Sequence, residues 1–407
     1  MDGILFMNQK LRFGVNYVPS KNWWYSWMDW DASSIREDLQ AIASLGMDHI
    51  RIQCLWPVFQ PNASYVSEAA LDRLHELLDL ADEAKLDVEV TVLDGWLSGF
   101  VFNPSWKGNR NMFTDSDVIA AEVLLYRTIA HRISKHPRFM GFDLGNELGV
   151  MVQFGGGPAP DICDAWSTDM LALCEELAPG KFHVSGTDHR HWFGTTGFSR
   201  PHIATAGGVT SLHTWVEFTG ALKHYGPLDI GSLHLGEYSI ELAKAYHTDL
   251  NRPVWLQEFG ASAEWMPRAD IPTFAEATIR NSATCDHLWG FTWWCSHDIN
   301  KKFAEFLPLE YDLGLFDSHN NIKPTGELLA KLIREFHAQT PATIKRPQAL
   351  VCREEEFVTP EGEETAWAFG KRYMDAIAQG IRPAVVLESR AHDTDYLKSR
   401  GIEELIS

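Results

Sequence analysis

Two glutamates stand in contexts that suggest chemistry. Glu147 closes the run FDLGNE, and Glu258 lies inside WLQEFG. Each ends a short apolar stretch of the kind that forms a β-strand. Two carboxylic groups brought to one rim can cleave a glycosidic bond between them. One protonates the departing oxygen; the other attacks the anomeric carbon, or activates water to do so. A single glutamate at a strand end reads as readily as half of an ion pair. Two of them, in these contexts, favour the chemistry.

Competing chemistries have little support. The chain has no HExxH, no GxSxG and no phosphate-binding GxxxxGK[ST]. His189 and His191 in DHRHW have the i, i+2 spacing of a strand-borne metal pair, but polar loop residues are the simpler reading. A two-carboxylate mechanism requires no metal and no organic cofactor, so neither is expected.

Such a pair needs a scaffold that brings distant strand ends together. A short apolar run followed by a helical stretch recurs along the chain, which predicts βα units and a parallel sheet. Eight candidate strands cover about 12–18, 49–55, 87–93, 139–145, 182–187, 209–214, 253–258 and 288–294. Between them run apolar stripes at helical spacing. Ile35, Leu39, Ile42 and Leu45 share a face, with Ser33 and Ser34 as N-cap candidates and Gly46 just past the end. Leu71, Leu74, Leu78 and Ala81 make a second stripe. Val118, Leu125, Ile129 and Ile133 make a third, stopping at His136-Pro137, and Trp166, Met170, Leu173 and Leu177 a fourth.

This alternation predicts an α/β fold, a (β/α)8 TIM barrel over residues 1–340, with its active groups at the C-terminal strand ends. An open doubly wound sheet is the alternative, but its early glycine-rich turn is missing. Gly155-Gly156-Gly157 leads to Pro158 and Pro160 and reads as a mobile loop. Residues 345–407 read as a small βαβα C-terminal subdomain. Its strands fall near 349–352 and 383–388 and its helices near 364–380 and 395–406, with solvated turns at REEEF and Pro360–Glu364.

The bulk numbers narrow the partners. A formal net charge of −20 argues against nucleic acid or an anionic membrane, because phosphate binding takes clustered Lys and Arg. The six cysteines include no CxxC pair, which disfavours a zinc knuckle and suits a reducing compartment. MDGILFMNQKLRFG has no basic segment before a long apolar core, and no run of about 18 apolar residues occurs. The expectation is a cytoplasmic protein without signal peptide or membrane span. Its aromatic loops and C-terminal unit suggest a homodimer.

FDLGNE and WLQEFG resemble two motifs of the clan A glycoside hydrolases, family 5 in particular. Members carry Asn-Glu at the end of the fourth strand and Glu at the end of the seventh. The two glutamates here are 258 − 147 = 111 residues apart, which suits three intervening βα units, and the resemblance covers about residues 12–337. It implies a retaining hydrolase with Glu147 as acid/base and Glu258 as nucleophile; Glu147 must arrive protonated and Glu258 ionised. It also implies that Asn146 hydrogen-bonds the sugar 2-hydroxyl and that Arg51 lends positive charge to Glu258. A structural ion pair is the alternative reading of Arg51.

His213 matches the His of the family's His-x-Tyr pattern, although a satisfied core histidine is its plainer reading. The sequence then departs from the family: Trp215 stands where a Tyr usually hydrogen-bonds the nucleophile. Either the indole N–H or another hydroxyl, such as that of Tyr17, has to replace it. The family also places a Trp beneath the sugar at the end of the eighth strand. Adjacent strand residues face opposite ways, and Trp294 is preferred to Trp293.

Aromatic faces stack on the C–H face of a pyranose. Trp23, Trp24, Tyr25, Trp27 and Trp30 crowd the segment after the first strand, and Trp56 and Trp96 follow the second and third. Trp24 and Trp96 are read as substrate contacts; a satellite hydrophobic cluster or oligomer contact is the alternative for the first loop. Residues 216–237, rich in Gly and Pro, read as a lid.

The resemblance extends to the β-mannosidase-like and mannanase-like branches of the family. With a cytoplasmic chain and loops able to close a cleft into a pocket, it points to a small oligosaccharide substrate. The specific expectation is an exo-β-mannosidase acting on short β-1,4-mannosides such as Man-β-1,4-GlcNAc. An endo-β-mannanase, a β-glucosidase, a transglycosylase or a non-catalytic sugar-binding protein are the alternatives.

Overall fold

Runs of four to eight residues form the strands of the main sheet, and the amphipathic stretches between them lie on the outside as helices. In the computed structural model, residues 10–194, 197–357 and 363–406 are described. The leader reading over the first nine residues and most of the turn at Pro360–Glu364 lie outside them. Seven parallel strands make the main sheet: β1 (Arg12–Asn16), β2 (His49–Leu55), β3 (Asp87–Asp94), β4 (Phe139–Asp143), β5 (Thr210–His213), β6 (Val254–Phe259) and β7 (Leu288–Trp293). Their order is β4-β3-β2-β1-β7-β6-β5, a curled sheet whose ends are β4 and β5.

The expected strand at 182–187 fills the space between those ends but is not a regular strand. It follows β4 through Phe182 N–H to Met140 O (2.9 Å) and Val184 N–H to Phe142 O (2.9 Å). The rung between them is taken by a side chain, because Phe142 N–H donates to the His183 ring at 3.1 Å, and the ladder then continues from Leu144 N–H to Val184 O at 3.0 Å. Towards β5 it offers only isolated bonds, Gly208 N–H to His183 O and Ser211 Oγ–H to Ser185 O. The ring is therefore the (β/α)8 barrel expected, with one irregular stave.

Helices α1 (Ala32–Ser44), α2 (Glu68–Ala84), α3 (Ser116–Ile133), α4 (Pro160–Leu177), α5 (Leu235–Ala245), α6 (Ile271–Ser282) and α7 (Pro324–Ala338) surround the strands. Their inner faces are the predicted stripes: Leu39, Ile42, Leu74, Leu78, Leu125 and Ile129 are fully buried. The cap of α1 is Asp31 rather than Ser33 or Ser34. Its carboxylate accepts from both serine N–H groups, a charge-assisted arrangement at the positive end of the helix.

The C-terminal unit holds α8 (Glu363–Ala378) and a second parallel sheet, with β8 (Gln348–Cys352) between β9 (Ala384–Leu387) and β10 (Glu404–Ile406). The helix expected at 395–406 is a correction. It ends at Ser399, Gly401 turns with φ +67°, and Glu404–Ile406 becomes the third strand. A buried charge cluster ties this unit to α5. Arg346 and Arg382 reach Glu237 at 2.7 and 2.6 Å, and Arg400 reaches Glu241 at 3.5 Å. No described helix is long and apolar enough to cross a membrane.

Candidate active site

Strand register assembles the rim. Asn16 of β1 lies beside Arg51 of β2, and His213 of β5 beside Glu258 of β6, where a bulge resets the pairing. Glu147 follows β4 in the left-handed conformation (φ 48°) and heads the short helix Leu148–Phe154 without capping it, and it lines the cavity. One oxygen of Glu147, one of Glu258 and a His213 ring nitrogen lie within 4.8 Å of one another. His213 Nδ1 sits 3.2 Å from Glu147 and 3.6 Å from Glu258.

Arg51 is the hub beneath them. Its fully buried guanidinium donates to Asp143 at 2.7 and 2.9 Å, Asn146 at 2.9 Å, Asn16 at 3.0 Å and Glu258 at 3.3 Å. Asp143 is itself held by Thr91, Gln257 and the Gly186 N–H. Buried charges cost little only when paired and fully hydrogen-bonded, and this network meets that condition.

The electrostatics oppose one another. Burial pushes the Glu258 carboxyl above its ordinary value. The His213 ring pulls it down, Glu147 pushes it further up, and Arg51 and the Trp215 N–H pull it down again, leaving it raised overall. For His213, burial alone would lower its proton affinity; Glu258 and the hydrogen bond to Glu147 outweigh that and raise it. Two carboxylates and an imidazole thus lie within a few ångströms of one another. Among the described residues these three also form the one group of donors close enough to surround a metal ion. Arg51 already places a fixed positive charge against Glu258 there.

A cavity of about 510 Å³ opens over these groups, within the usual range for small-molecule sites. Glu147, Glu258, Asn146, Trp96, Trp215 and Trp294 all line it. Asn146 is oriented by Arg51 and by donating to Trp96 O at 2.8 Å, and one amide hydrogen is left for a ligand. Trp294 faces the cavity, whereas Trp293 is buried, its N–H on Leu313 O. Trp215 settles the departure from the His-x-Tyr pattern: its Nε1–H donates to Glu258 Oε1 at 2.9 Å. The Tyr17 hydroxyl instead donates to Asp38.

Trp24 is a correction. It does not line this cavity. It stacks on Phe306 with Phe100 and Phe102 edge-on, and it is 5% exposed. Its loop is a satellite hydrophobic cluster: Trp23 and Trp27 are buried, Trp27 N–H holds Gln53 O, and Trp30 N–H holds Glu76. The large apolar faces find more to bury against one another than against solvent-filled space. Residues 216–237, read as a lid, border the cavity. Their first turn is packed, with Val216, Thr219 and Ala221 buried, and from it Glu217 and Phe218 line the cavity; 222–230 are half-buried or exposed. His189 lines the cavity with its ring stacked beside Phe218, and His191 is buried beside Asp188.

Sequence reading missed Glu310. It comes from a 3-10 turn, Pro308–Asp312, well after the last strand, and lines the cavity while 8% exposed. Burial pushes its carboxyl up to about 7, with Glu258 and Glu147 adding to the push and the nearby Ser98 hydroxyl opposing it. Nothing in the local pattern PLEYD marks it. Asn16, Asp143 and Gln257 were missed as well, although the last two sit inside the very motifs that carry the glutamates.

Residues 12–178 match the family model described as cellulase (glycosyl hydrolase family 5). Among solved structures, a GH5_18 variant from Streptomyces cattleya in complex with Manβ1-4GlcNAc is 39% identical. The match covers 97% of this chain and 98% of that one, with a TM-score of 0.91. A GH5_18 variant from Bifidobacterium longum subsp. longum, in complex with the same disaccharide, is 34% identical over 97% of this chain and 95% of that one, TM-score 0.90. The exo-β-1,4-mannosidase Op5Man5 from Opitutaceae bacterium strain TAV5, at 23% identity, shares the fold, with 93% and 69% covered and a TM-score of 0.79. A search of curated proteins finds no match. A barrel with paired carboxylates over a sugar-sized cavity, matched end to end by such enzymes, defines a glycoside hydrolase. The chain belongs to glycoside hydrolase family 5.

Proposed function

We propose that this protein is a retaining exo-β-mannosidase that splits short β-1,4-mannosides such as Manβ1-4GlcNAc. The observation that carries the reading is the approach of the two carboxylates to within 4.8 Å at their nearest oxygens. Retaining enzymes place the pair about 5–5.5 Å apart, while inverting ones leave room for a water between. The relatives that hold Manβ1-4GlcNAc support the choice of sugar. The six buried, unpaired cysteines support a cytoplasmic setting.

In the first step a Glu258 oxygen attacks the anomeric carbon. The bond to the bridging oxygen breaks, and that oxygen takes the Glu147 proton. In the second step Glu147 removes a proton from water, whose oxygen displaces Glu258 and frees mannose. Arg51 and Trp215 hold Glu258 in line; in this reading Asn146 takes the 2-hydroxyl and Trp294 floors the ring, which their place on the cavity lining supports. Leu307, Leu309, Glu310, Glu217 and Phe218 complete the cavity lining, and its volume suits a terminal sugar and one partner.

The test uses p-nitrophenyl β-mannoside, β-glucoside and β-galactoside with the wild type and Glu258→Ala. The expected result is release from the mannoside alone, reduced about 10⁴-fold or more by the substitution. Manβ1-4GlcNAc should be split as well. Fast cutting of internal mannan bonds with no action on the disaccharide would overturn exo action. Calorimetric binding without turnover would make the chain a sugar-binding protein.

A further inference from the structure

The 215–223 loop carries Trp215, which touches the nucleophile, and Glu217 and Phe218, which wall the cavity. Its shape depends on a residue from the other unit. Trp367 of α8 is fully buried against Phe193, His224 and Tyr225. Its indole N–H donates to Thr219 O at 2.6 Å. Thr219 in turn gives both its backbone N–H (3.0 Å) and its hydroxyl (2.7 Å) to Trp215 O. Trp215 then donates to Glu258. The loop reverses at Gly220, where φ is +78°.

An indole has one donor and no acceptor, and here that donor is spent on the loop backbone. Thr219 is completely buried, so without Trp367 its carbonyl would face the desolvation penalty of an unpaired buried acceptor unless the loop moved. We propose that the C-terminal unit is a working part of the active site, with Trp367 as a positioning residue that keeps Trp215 on Glu258. The chain of bonds Trp367–Thr219–Trp215–Glu258 crosses from one unit to the reacting carboxylate. This rests on the reading of Glu258 as nucleophile.

Core packing alone would give Trp367 an effect on stability but none on the ionisation of Glu258. The test is the pH profile of kcat/KM on the mannoside for wild type, Trp215→Phe, Trp367→Phe and the double variant, with the denaturation midpoint of each. Glu258 must be ionised to attack, and the Trp215 N–H favours that form. Its removal should move the acid limb up by about one pH unit. Trp367→Phe keeps the ring and should move it the same way by about half a unit. The double variant should move it no further than Trp215→Phe.

An unmoved limb in Trp367→Phe, or shifts that add, would overturn the proposal. An unmoved limb in Trp215→Phe would overturn the nucleophile reading beneath it. If Trp367→Phe does not fold, Thr219→Val removes the hydroxyl bond to Trp215 O while keeping the side-chain shape. A folded Thr219→Val with the wild-type limb would overturn the proposal equally.

Discussion

At the scale of single residues, the site works by opposing fields on one carboxylate. Glu258 is pushed up by burial and by Glu147, and drawn down by His213, Arg51 and Trp215. Its neighbour Glu310 adds a second titration. With its carboxyl pushed up to about 7, Glu310 is neutral at pH 6 and ionised at pH 8. The neutral acid can donate to a sugar hydroxyl; the carboxylate can only accept, beside two other acids. KM for the mannoside should therefore rise about fivefold from pH 6 to pH 8, the worth of one neutral hydrogen bond. Glu310→Gln, whose amide still donates, should hold KM level across that range. A variant that follows the wild-type curve would remove Glu310 from substrate contact.

At the scale of elements, the weak stave between β4 and β5 deserves a direct probe. Gly141 on β4 has no room for a side chain: an added Cβ would lie 1.9 Å from Phe182 O. The close approach lets 182–186 lie against β4 and lets Gly186 N–H reach Asp143 at 2.7 Å. Gly141→Ala should displace this segment, cost about 3 kcal/mol in urea unfolding and loosen the Asp143 network under Arg51. An unchanged midpoint would show that the stave moves freely.

At the scale of the whole molecule, the two units are joined by charge as well as by apolar contact. Burial alone would raise Glu237 and Glu241. For Glu237 the His234 hydrogen bond with Arg346 and Arg382 reverses this, and for Glu241 Lys244, Arg346 and Arg400 do, so both stay below the usual carboxylate range. A depressed folded value stabilises above the unfolded value, about 4.3, and the gain disappears as pH falls through the folded values. Acid unfolding should therefore loosen the C-terminal unit from the barrel. Arg346→Met takes one of the cations from both buried carboxylates, leaving Arg382 and His234 on Glu237 and Lys244 and Arg400 on Glu241, and should cost about 3 kcal/mol at pH 7, with the loss shrinking in acid. Equal losses at pH 7 and pH 3 would contradict this account.

Much of the barrel and both glutamates were legible in the sequence, because they follow from local periodicity. A strand end is marked by where an apolar run stops, so FDLGNE and WLQEFG placed Glu147 and Glu258 on one rim. The segment at 182–187 misled for the same reason: its apolar pattern is that of a strand, but the His183 ring takes a backbone rung. What depended on partners far along the chain was not legible. The burial of Trp24, the donation from Trp215 to Glu258, the arrival of Glu310 in the cavity and the bond from Trp367 to Thr219 each join segments distant in sequence. Pattern records which face of an element is apolar; only tertiary packing decides what that face, or the polar group beside it, will meet.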